Sequence, residues 1–285
     1  MSGSWRVAVV TGGNRGIGRS LVRNLCQTFD GTVYLTARNE ERGKKAVQDL
    51  KTQGLNPRFH QLDIDSRDSI CDFAKHLKET HDGVDVVIAN GAVSYEKNSP
   101  IPLEEQSEAN IRINNIGNAN LYQALEPLLR QDGRYVIVSS RFGQLTNISE
   151  KLRPKFQTDN MSIDQLNCVL SEYVTSTKDG SYKDKGWPDW PNVMSQVGRV
   201  ALTRIIVQSL KDNPRRLLVN ASCPGWTVTD AARSYLDVRG MFGDVKAKNP
   251  DEAAVDLVWL ATLPAGTTSP HGELVQYRKI VSYEG

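Results

Sequence analysis

A glycine-rich turn between an apolar strand and an amphipathic helix constrains this chain more than any other feature. The residues from Arg6 to Gly18 read RVAVVTGGNRGIG. The β-branched run from Val7 to Val10 predicts a buried parallel strand, and apolar residues then recur at helical spacing from Ile17 onwards. Glycines permit positive φ and a close approach of the backbone to a pyrophosphate, and a helix N-terminus offers N–H groups to phosphate. The stretch therefore predicts a dinucleotide-binding turn, with an ordinary tight βα turn as the alternative.

Strand and helix patterns alternate along the rest of the chain. This alternation predicts an α/β fold: a Rossmann-type, doubly wound parallel sheet of about seven strands with helices on both faces. The later strands are predicted at 32–37, 58–62, 84–89, 134–138, 217–221 and 273–277, and the main helices at 66–80, 103–129, 163–174 and 193–210. Asn39 and Asn249 are predicted to cap two further helices. We expect one domain, 1–285, with an irregular insertion at about 141–191.

The composition argues against several classes of partner. Charged residues make up 24% of the 285 residues and the formal net charge is +2, without a basic run typical of nucleic-acid binding. No apolar stretch approaches the roughly 20 residues that span a bilayer, and no apolar leader follows Met1. The four cysteines and four histidines lack the spacings of disulfide frameworks or metal sites. We therefore expect a cytoplasmic protein with no metal, no membrane contact and no nucleic-acid partner.

Residues at the end of the second strand indicate which dinucleotide is bound. In such a sheet, ligands bind beyond the carboxyl ends of the strands. The second strand ends at Arg38, without the carboxylate that holds the ribose 2′-hydroxyl in NAD sites, and Arg15 lies within the glycine turn. Two guanidinium groups suit a 2′-phosphate. The predicted cofactor is therefore NADP(H); alternatively, both arginines are solvated loop residues.

The spacing T-G-x-x-x-G-x-G resembles the cofactor motif of the short-chain dehydrogenase/reductase family, and of its monomeric carbonyl reductases in particular. Similar stretches are PRFHQLDID at 57–65 and GWP at 186–188, and the resemblance spans nearly the whole chain. It implies a monomer, because the insertion covers the face through which relatives dimerise. It also implies a set of cofactor contacts: Gly12, Asn14, Arg15, Gly16, Ile17, Gly18, Arg38, Asp63, Ile64, Asn90, Pro224, Gly225, Trp226 and Thr227.

The same resemblance assigns the catalytic positions. Ser140 aligns with the serine that donates to the substrate carbonyl, or else only terminates a strand, and Asn114 aligns with the structural asparagine of the long helix. The family carries Tyr-x-x-x-Lys, in which the tyrosine protonates the forming alkoxide and the lysine lowers the tyrosine pKa. Counted without a gap from the GWP stretch, Asn192 falls on the tyrosine and Gln196 on the lysine. No tyrosine in the chain has a lysine four residues later.

An amide donates a hydrogen bond but gives up no proton near neutral pH, so general acid catalysis, which contributes ~10²–10⁴-fold, is predicted to be weak or lost. Three functions stay open: an impaired reductase of aldehydes, ketones or quinones, an active NADPH-dependent carbonyl reductase with another proton donor, or a non-catalytic NADP(H)-binding or regulatory protein. Replacement donors are Tyr182, Tyr235, or Ser195 with Arg199 in a shifted register. The partner is a small carbonyl compound or none.

Overall fold

The structure, a computed structural model, describes residues 6–229 and 247–285. One mixed sheet lies at its centre, built from β1 (Val7–Val10), β2 (Thr32–Ala37), β3 (Arg58–Gln61), β4 (Val84–Ala89), β5 (Leu129–Val138), β6 (Leu218–Cys223), β7 (Leu274–Gln276) and β8 (Lys279–Val281). The strand order is β3-β2-β1-β4-β5-β6-β7-β8. All neighbouring pairs are parallel except β7 and β8. The predicted doubly wound α/β fold is confirmed, and β8 adds one strand to the seven expected.

Helices cover both faces of the sheet. They are α1 (Gly16–Thr28), α2 (Glu40–Lys51), α3 (Arg67–His81), α4 (Leu103–Ala109), α5 (Gly117–Leu125), α6 (Ile163–Lys178), α7 (Pro191–Ser209) and α8 (Pro250–Ala261). One apolar core lies beneath α1, α2 and α8, and the other beneath α3 to α7. Side chains of β1 alternate between them, Val7 and Val9 on one face and Ala8 and Val10 on the other. Burial on both faces explains why the strands are continuous apolar runs.

In the described part of the chain, no helix has the length and apolar character needed to cross a bilayer.

Strand β8 was not predicted, because the turn that leads into it has no recognisable sequence signal. Tyr277 and Arg278 form the hairpin between β7 and β8 with φ of 51° and 61°, and Gln276 pairs with Lys279 across it. Tight hairpins need positive φ at both central positions and usually place Asn-Gly or Asp-Gly there. A Tyr-Arg turn gives no such signal in the sequence.

The long helix predicted at 103–129 is divided into several pieces. After α4 the chain forms a π-helix, Asn110–Ile116, followed by α5 and a 3₁₀ turn, Glu126–Leu128. Strand β5 then begins at Leu129, earlier than the predicted start at 134. A π-helix shifts the residues after it around the helix axis and is often found at functional sites. Here it contains Asn114.

Both predicted helix caps are confirmed. Asn39 Oδ1 accepts a hydrogen bond of 2.8 Å from the Arg42 N–H at the start of α2. Asn249 and Glu252 form a reciprocal capping box at the start of α8. These caps fix where each helix begins and therefore which residues face the end of the sheet.

Candidate active site

A cleft of about 1140 Å³ opens at the carboxyl ends of the strands, lined by the segments that follow β1 to β7. It includes the point between β1 and β4 where the strand order reverses, which is where ligands bind in sheets of this kind. All of the predicted cofactor contacts, from Gly12 to Thr227, line this cleft. Neither here nor elsewhere in residues 6–229 and 247–285 do three or more His, Cys, Asp or Glu side chains group to hold a metal ion.

The glycine turn after β1 forms a cradle without side chains. Gly12 and Gly16 have φ of 64° and 52°, in the left-handed region that favours glycine. A Cβ added at Gly18 would lie 2.2 Å from the Gly12 carbonyl oxygen. Asn90 Nδ2 donates a 2.9 Å hydrogen bond to the Thr11 carbonyl oxygen and ties the turn to the end of β4. The first turn of α1 thus faces the cleft, as pyrophosphate binding requires.

Three arginines surround the end of β2. Arg15, Arg38 and Arg42 all line the cleft and are exposed there. The sequence analysis identified the first two but missed Arg42, whose signal was its position in the first turn of α2, four residues after Arg38. Asp63 lines the same end of the cleft, where its carboxylate accepts a hydrogen bond from the Asp65 N–H. Guanidinium groups so placed fit a phosphate on the adenosine ribose.

Two serines mark the end of β5. Ser140 lines the cleft and is half-buried, and its Oγ accepts a hydrogen bond of 3.3 Å from the Phe142 N–H. Ser139 Oγ donates a 3.0 Å hydrogen bond to Gln196 Oε1. Burial raises the pKa of the neighbouring Cys223 thiol, which disfavours its reactive thiolate form. Both serines line the cleft, and Ser140 is the more exposed of the two.

The two residues at the predicted Tyr-x-x-x-Lys positions differ in their placement. Gln196 lines the cleft. Asn192 is only 1% exposed, and its Nδ2 donates to Ser94 Oγ at 2.8 Å and to the Tyr95 carbonyl oxygen at 2.9 Å. Trp190 Nε1 donates to the same carbonyl at 3.2 Å. The Asn192 amide therefore holds the segment after β4.

Asn114 is buried behind the cleft, where its side chain connects three segments of the chain. Its Oδ1 accepts a 2.8 Å hydrogen bond from the Val93 N–H, and its Nδ2 donates to the Val93 carbonyl oxygen at 2.8 Å. The same Nδ2 donates to Ser195 Oγ on α7 at 2.9 Å. Asn114 thus joins the π-helix, the segment after β4 and α7, as expected of a structural asparagine.

Arg199, which the sequence analysis considered only together with Ser195 in a shifted register, is a further functional candidate. It lines the cleft from α7 and is 2% exposed. Its Nη1 donates to the Val138 carbonyl oxygen at 2.6 Å, its Nε to that of Asn114 at 3.2 Å and its Nη2 to that of Gly91 at 3.1 Å. The available signal was an arginine within the apolar run of α7, one turn after Gln196. The guanidinium thus joins the ends of β4 and β5 to the π-helix.

The other candidate proton donors are tyrosines, and only some of those described line the cleft. Among the described residues, Tyr95 and Tyr277 are the tyrosines that line the cleft. Burial raises the pKa of Tyr277. Tyr182 packs against the apolar core beneath the insertion, away from the cleft, and Tyr235 lies outside the described residues. Trp226 lines the cleft as predicted.

The sheet order, the glycine cradle and the serine after β5 together define a class of protein. The sequence pattern of the family described as short chain dehydrogenase matches residues 6–151, and the chain belongs to this family.

The chain is similar over its whole length to carbonyl reductases. Carbonyl reductase (NADPH) 3 of Rattus norvegicus is 38% identical over 287 residues, covering 99% of this chain and 100% of that protein. Carbonyl reductase (NADPH) 1 of Mus musculus is 38% identical over 284 residues, covering 98% and 99%. The structure of salutaridine reductase from Papaver somniferum matches with a TM-score of 0.80 at 25% identity, covering 94% of this chain and 99% of that one. The replacement of a Tyr–Lys pair by Asn192 and Gln196 stays a prediction.

Proposed function

We propose that this protein binds NADP(H) as a carbonyl-reductase-like member of its family, and that its reduction of aldehydes, ketones or quinones is weak or lost. The carbonyl reductases to which it is similar are named for NADPH. Arg15, Arg38 and Arg42 around the end of β2 suit the 2′-phosphate that distinguishes NADP(H). The cofactor, when bound, supplies a hydride. The glycine turn holds its pyrophosphate, and Ser140 donates a hydrogen bond to the substrate carbonyl.

The hydrogen bonds that the Asn192 amide makes support the proposal of impaired activity. Its Nδ2 and Oδ1 both bond to Ser94 or Tyr95, so Asn192 offers neither a proton nor a hydrogen bond to a carbonyl in the cleft. Gln196 lines the cleft but brings no charge. Loss of a general acid lowers the rate by ~10²–10⁴-fold. The protein then binds NADPH without consuming it at an ordinary rate.

A second candidate is an active reductase with a displaced proton donor. It is favoured by the phenol groups of Tyr95 and Tyr277 in the wall of the cleft. In this case Tyr95→Phe or Tyr277→Phe lowers the turnover number by ~10²-fold or more, while NADPH affinity stays unchanged. Under the impaired-enzyme proposal, neither substitution alters a rate that is already slow.

The first experiment measures binding and consumption of NADPH together. NADPH fluorescence reports binding, and NADPH absorbance in the presence of menadione reports turnover. Binding with a turnover number well below about 1 s⁻¹, the low end of ordinary enzymes, is the expected result. Turnover of menadione at ordinary rates would contradict the proposed impairment.

The second experiment restores the predicted acid pair. Asn192→Tyr with Gln196→Lys is expected to raise kcat/KM for menadione by about 100-fold or more. The matched control is Asn192→Phe with Gln196→Lys, which has the same bulk beside Ser94 and Tyr95 but no acidic hydroxyl. Equal rates in the two double variants would argue that this position never carries the proton donor.

We also propose that the protein is a monomer. Helix α6, within the insertion, packs against α4 and α7 on one side of the sheet, so the outer face of those helices is covered within one chain. Sedimentation velocity is expected to give a single species of 31.7 kDa. A stable dimer would contradict this part of the proposal.

A further inference from the structure

Arg141 places a cation in the wall of the cleft, directly after Ser140. Its side chain is exposed there, and its Nε donates a hydrogen bond of 3.1 Å to Gln144 Oε1. Within residues 6–229 and 247–285, no carboxylate forms an ion pair with it. Arginine stays protonated at any pH at which a protein is folded. The guanidinium is therefore a permanent charge for which the described part of the chain provides no counter-ion.

The strand order places Arg141 beyond the proposed cofactor. If the segments after β1 and β2 hold the pyrophosphate and the adenosine half, the nicotinamide half extends past β4 towards Ser140 at the end of β5. Burial raises the pKa of Cys223, at the end of β6, and of Tyr277, after β7, and the charge of Arg141 opposes both shifts. The guanidinium thus lies on the side of β5 that faces β6 and β7. This is the part of the cleft that the cofactor leaves for a substrate.

A buried amide holds the guanidinium in position. Gln144 is 6% exposed, and its Nε2 donates to the Ser282 carbonyl oxygen at 3.0 Å, while its Oε1 accepts from Arg141. The Arg141 carbonyl oxygen also accepts a 2.9 Å hydrogen bond from Asn147 Nδ2. Because Nε is occupied, the edge formed by Nη1 and Nη2 is the one that a ligand meets. That edge presents paired N–H groups, which match the two oxygens of a carboxylate.

We propose that Arg141 is a specificity-determining residue that selects carbonyl compounds which also carry a carboxylate. The inference rests on the proposed function, in which Ser140 donates to the substrate carbonyl, and it adds the chemical class of the substrate. Since Ser140 and Arg141 are adjacent and both line the cleft, one small molecule can contact both with its two groups. Other charges do not compete for the carboxylate, because Lys248 pairs with Asp256 and Glu96, in the opposite wall after β4, repels an anion.

The test compares two ligands that differ in this charge. para-Carboxybenzaldehyde carries a carboxylate across the ring from its carbonyl group, and its methyl ester has nearly the same shape without the charge. Calorimetry gives both dissociation constants for the protein saturated with NADP⁺, which donates no hydride, so neither ligand is reduced. The native protein is expected to bind the carboxylate about tenfold more tightly than the ester, the lower end for hydrogen bonds to a charged group, because Arg141 is partly hydrated. Equal affinity for the two ligands would overturn the proposal.

Variants assign the preference to this side chain. Arg141→Met is expected to lower the preference about tenfold by weakening only the carboxylate, and Arg141→Lys, which keeps the charge without the paired N–H groups, is expected to retain part of it. The control is Lys279→Met, which removes an exposed cation outside the wall of the cleft and is expected to leave the preference unchanged. A preference that survives Arg141→Met would contradict the proposal.

A salt titration of the native protein needs no variant to fold. Raising KCl from about 0.05 to about 0.5 M, with NADP⁺ kept saturating, is expected to weaken binding of the carboxylate several-fold and that of the ester little, because salt screens charge. A preference indifferent to salt would count against an ionic contact. If the protein binds no NADP(H), the proposed function fails; if it binds NADP(H) but neither ligand, or both ligands equally, only the role of Arg141 fails.

Discussion

The side chain of Asn192 and the backbone of Tyr95 hydrogen-bond to each other in both directions. Asn192 Nδ2 donates to the Tyr95 carbonyl oxygen at 2.9 Å, and Asn192 Oδ1 accepts from the Tyr95 N–H at 3.4 Å. This pair connects α7 to the segment after β4, almost 100 residues apart in sequence. The residue that aligns with the family's proton-donating tyrosine therefore serves here to connect two segments of the structure.

Replacing Asn192 by Ala is expected to destabilise the protein. The substitution removes the hydrogen bonds of Asn192 to the Ser94 hydroxyl and to the Tyr95 N–H, whereas the Tyr95 carbonyl oxygen keeps the bond from Trp190 Nε1. Unsatisfied polar groups cost about 1–3 kcal/mol. The free energy of unfolding from urea titration measures this loss. NADPH affinity is expected to change little, because Asn192 lies behind the cleft. Asn56→Ala, at an exposed asparagine, is the control and is expected to change stability by less than about 0.5 kcal/mol.

Removing the charge of Arg38 is expected to weaken NADPH binding selectively. A hydrogen bond to a charged group contributes about 1.5–3 kcal/mol, so Arg38→Met is expected to raise the Kd for NADPH by about 10- to 100-fold and to leave that for NADH almost unchanged. Fluorescence titration of both nucleotides measures this difference. Lys45→Met removes an exposed cation of α2 that does not line the cleft. An equal loss for NADH and NADPH would contradict the assignment of the 2′-phosphate to this end.

Gly18→Ala is expected to disrupt the cradle. The new Cβ would lie 2.2 Å from the Gly12 carbonyl oxygen and 2.6 Å from Asn90 Nδ2, so the turn and the end of β4 have to separate. NADPH binding is expected to be lost, and stability to fall by more than in Gly54→Ala. Gly54 has φ of 77° with no atom within 4 Å of an added Cβ, so that control carries only the backbone cost of about 1–2 kcal/mol. Full NADPH binding by Gly18→Ala would show that the cradle tolerates a side chain.

A histidine pair makes stability depend on pH. The Tyr34 hydroxyl contacts His76 Nε2 at 3.0 Å and His81 Nε2 at 2.9 Å, and it donates to only one of them. Burial lowers the pKa of both rings, and the nearby Arg58 lowers it further. His60 and Arg130 also repel the charged forms of His76 and His81, respectively, whereas Glu79 opposes the shift at His76.

The sign of the pH effect follows from these shifts. Below the ordinary histidine pKa of ~6.5, the unfolded chain binds protons that the folded protein excludes. The free energy of unfolding is therefore expected to be highest above pH 6.5 and to fall as the pH drops below it. Urea titrations between pH 8 and 5.5 test this. His76→Gln plus His81→Gln is expected to reduce the slope without abolishing it, because burial also lowers the pKa of His271, and His60→Gln is expected to preserve most of the slope. A native curve without a slope in this range would contradict the prediction.

Much of the fold could be predicted because local chemistry and global topology agree. The apolar run of β1, the glycines after it and the cap at Asn39 each specify a local structure that the sheet also requires. Strand β8 and the π-helix around Asn114 could not be predicted, because Tyr277 and Arg278 adopt positive φ without glycine or asparagine, and a π-helix changes only the helical phase. Tertiary contacts determine both.

The candidate site also has features that the sequence could predict and features that it could not. The place of Gly12, Arg38 and Trp226 in the lining of the cleft could be predicted, because their positions after strands put them at one edge of the sheet. The orientation of Asn192 could not be predicted, because it depends on hydrogen bonds to Ser94 and Tyr95 across the fold. The burial of Arg199 could not be predicted either, because an arginine on a helix is usually solvated unless carbonyl groups from other elements surround it.

The π-helix makes the position of Asn114 depend on the number of residues before it. Loss of one residue between α4 and Asn114 would allow a regular α-helix and turn the amide by about 100° around the axis, away from Val93 and Ser195. Relatives that keep this asparagine but are one residue shorter here would lose the connection to α7. Insertions and deletions in this segment therefore matter more to the cleft than most substitutions that preserve its length.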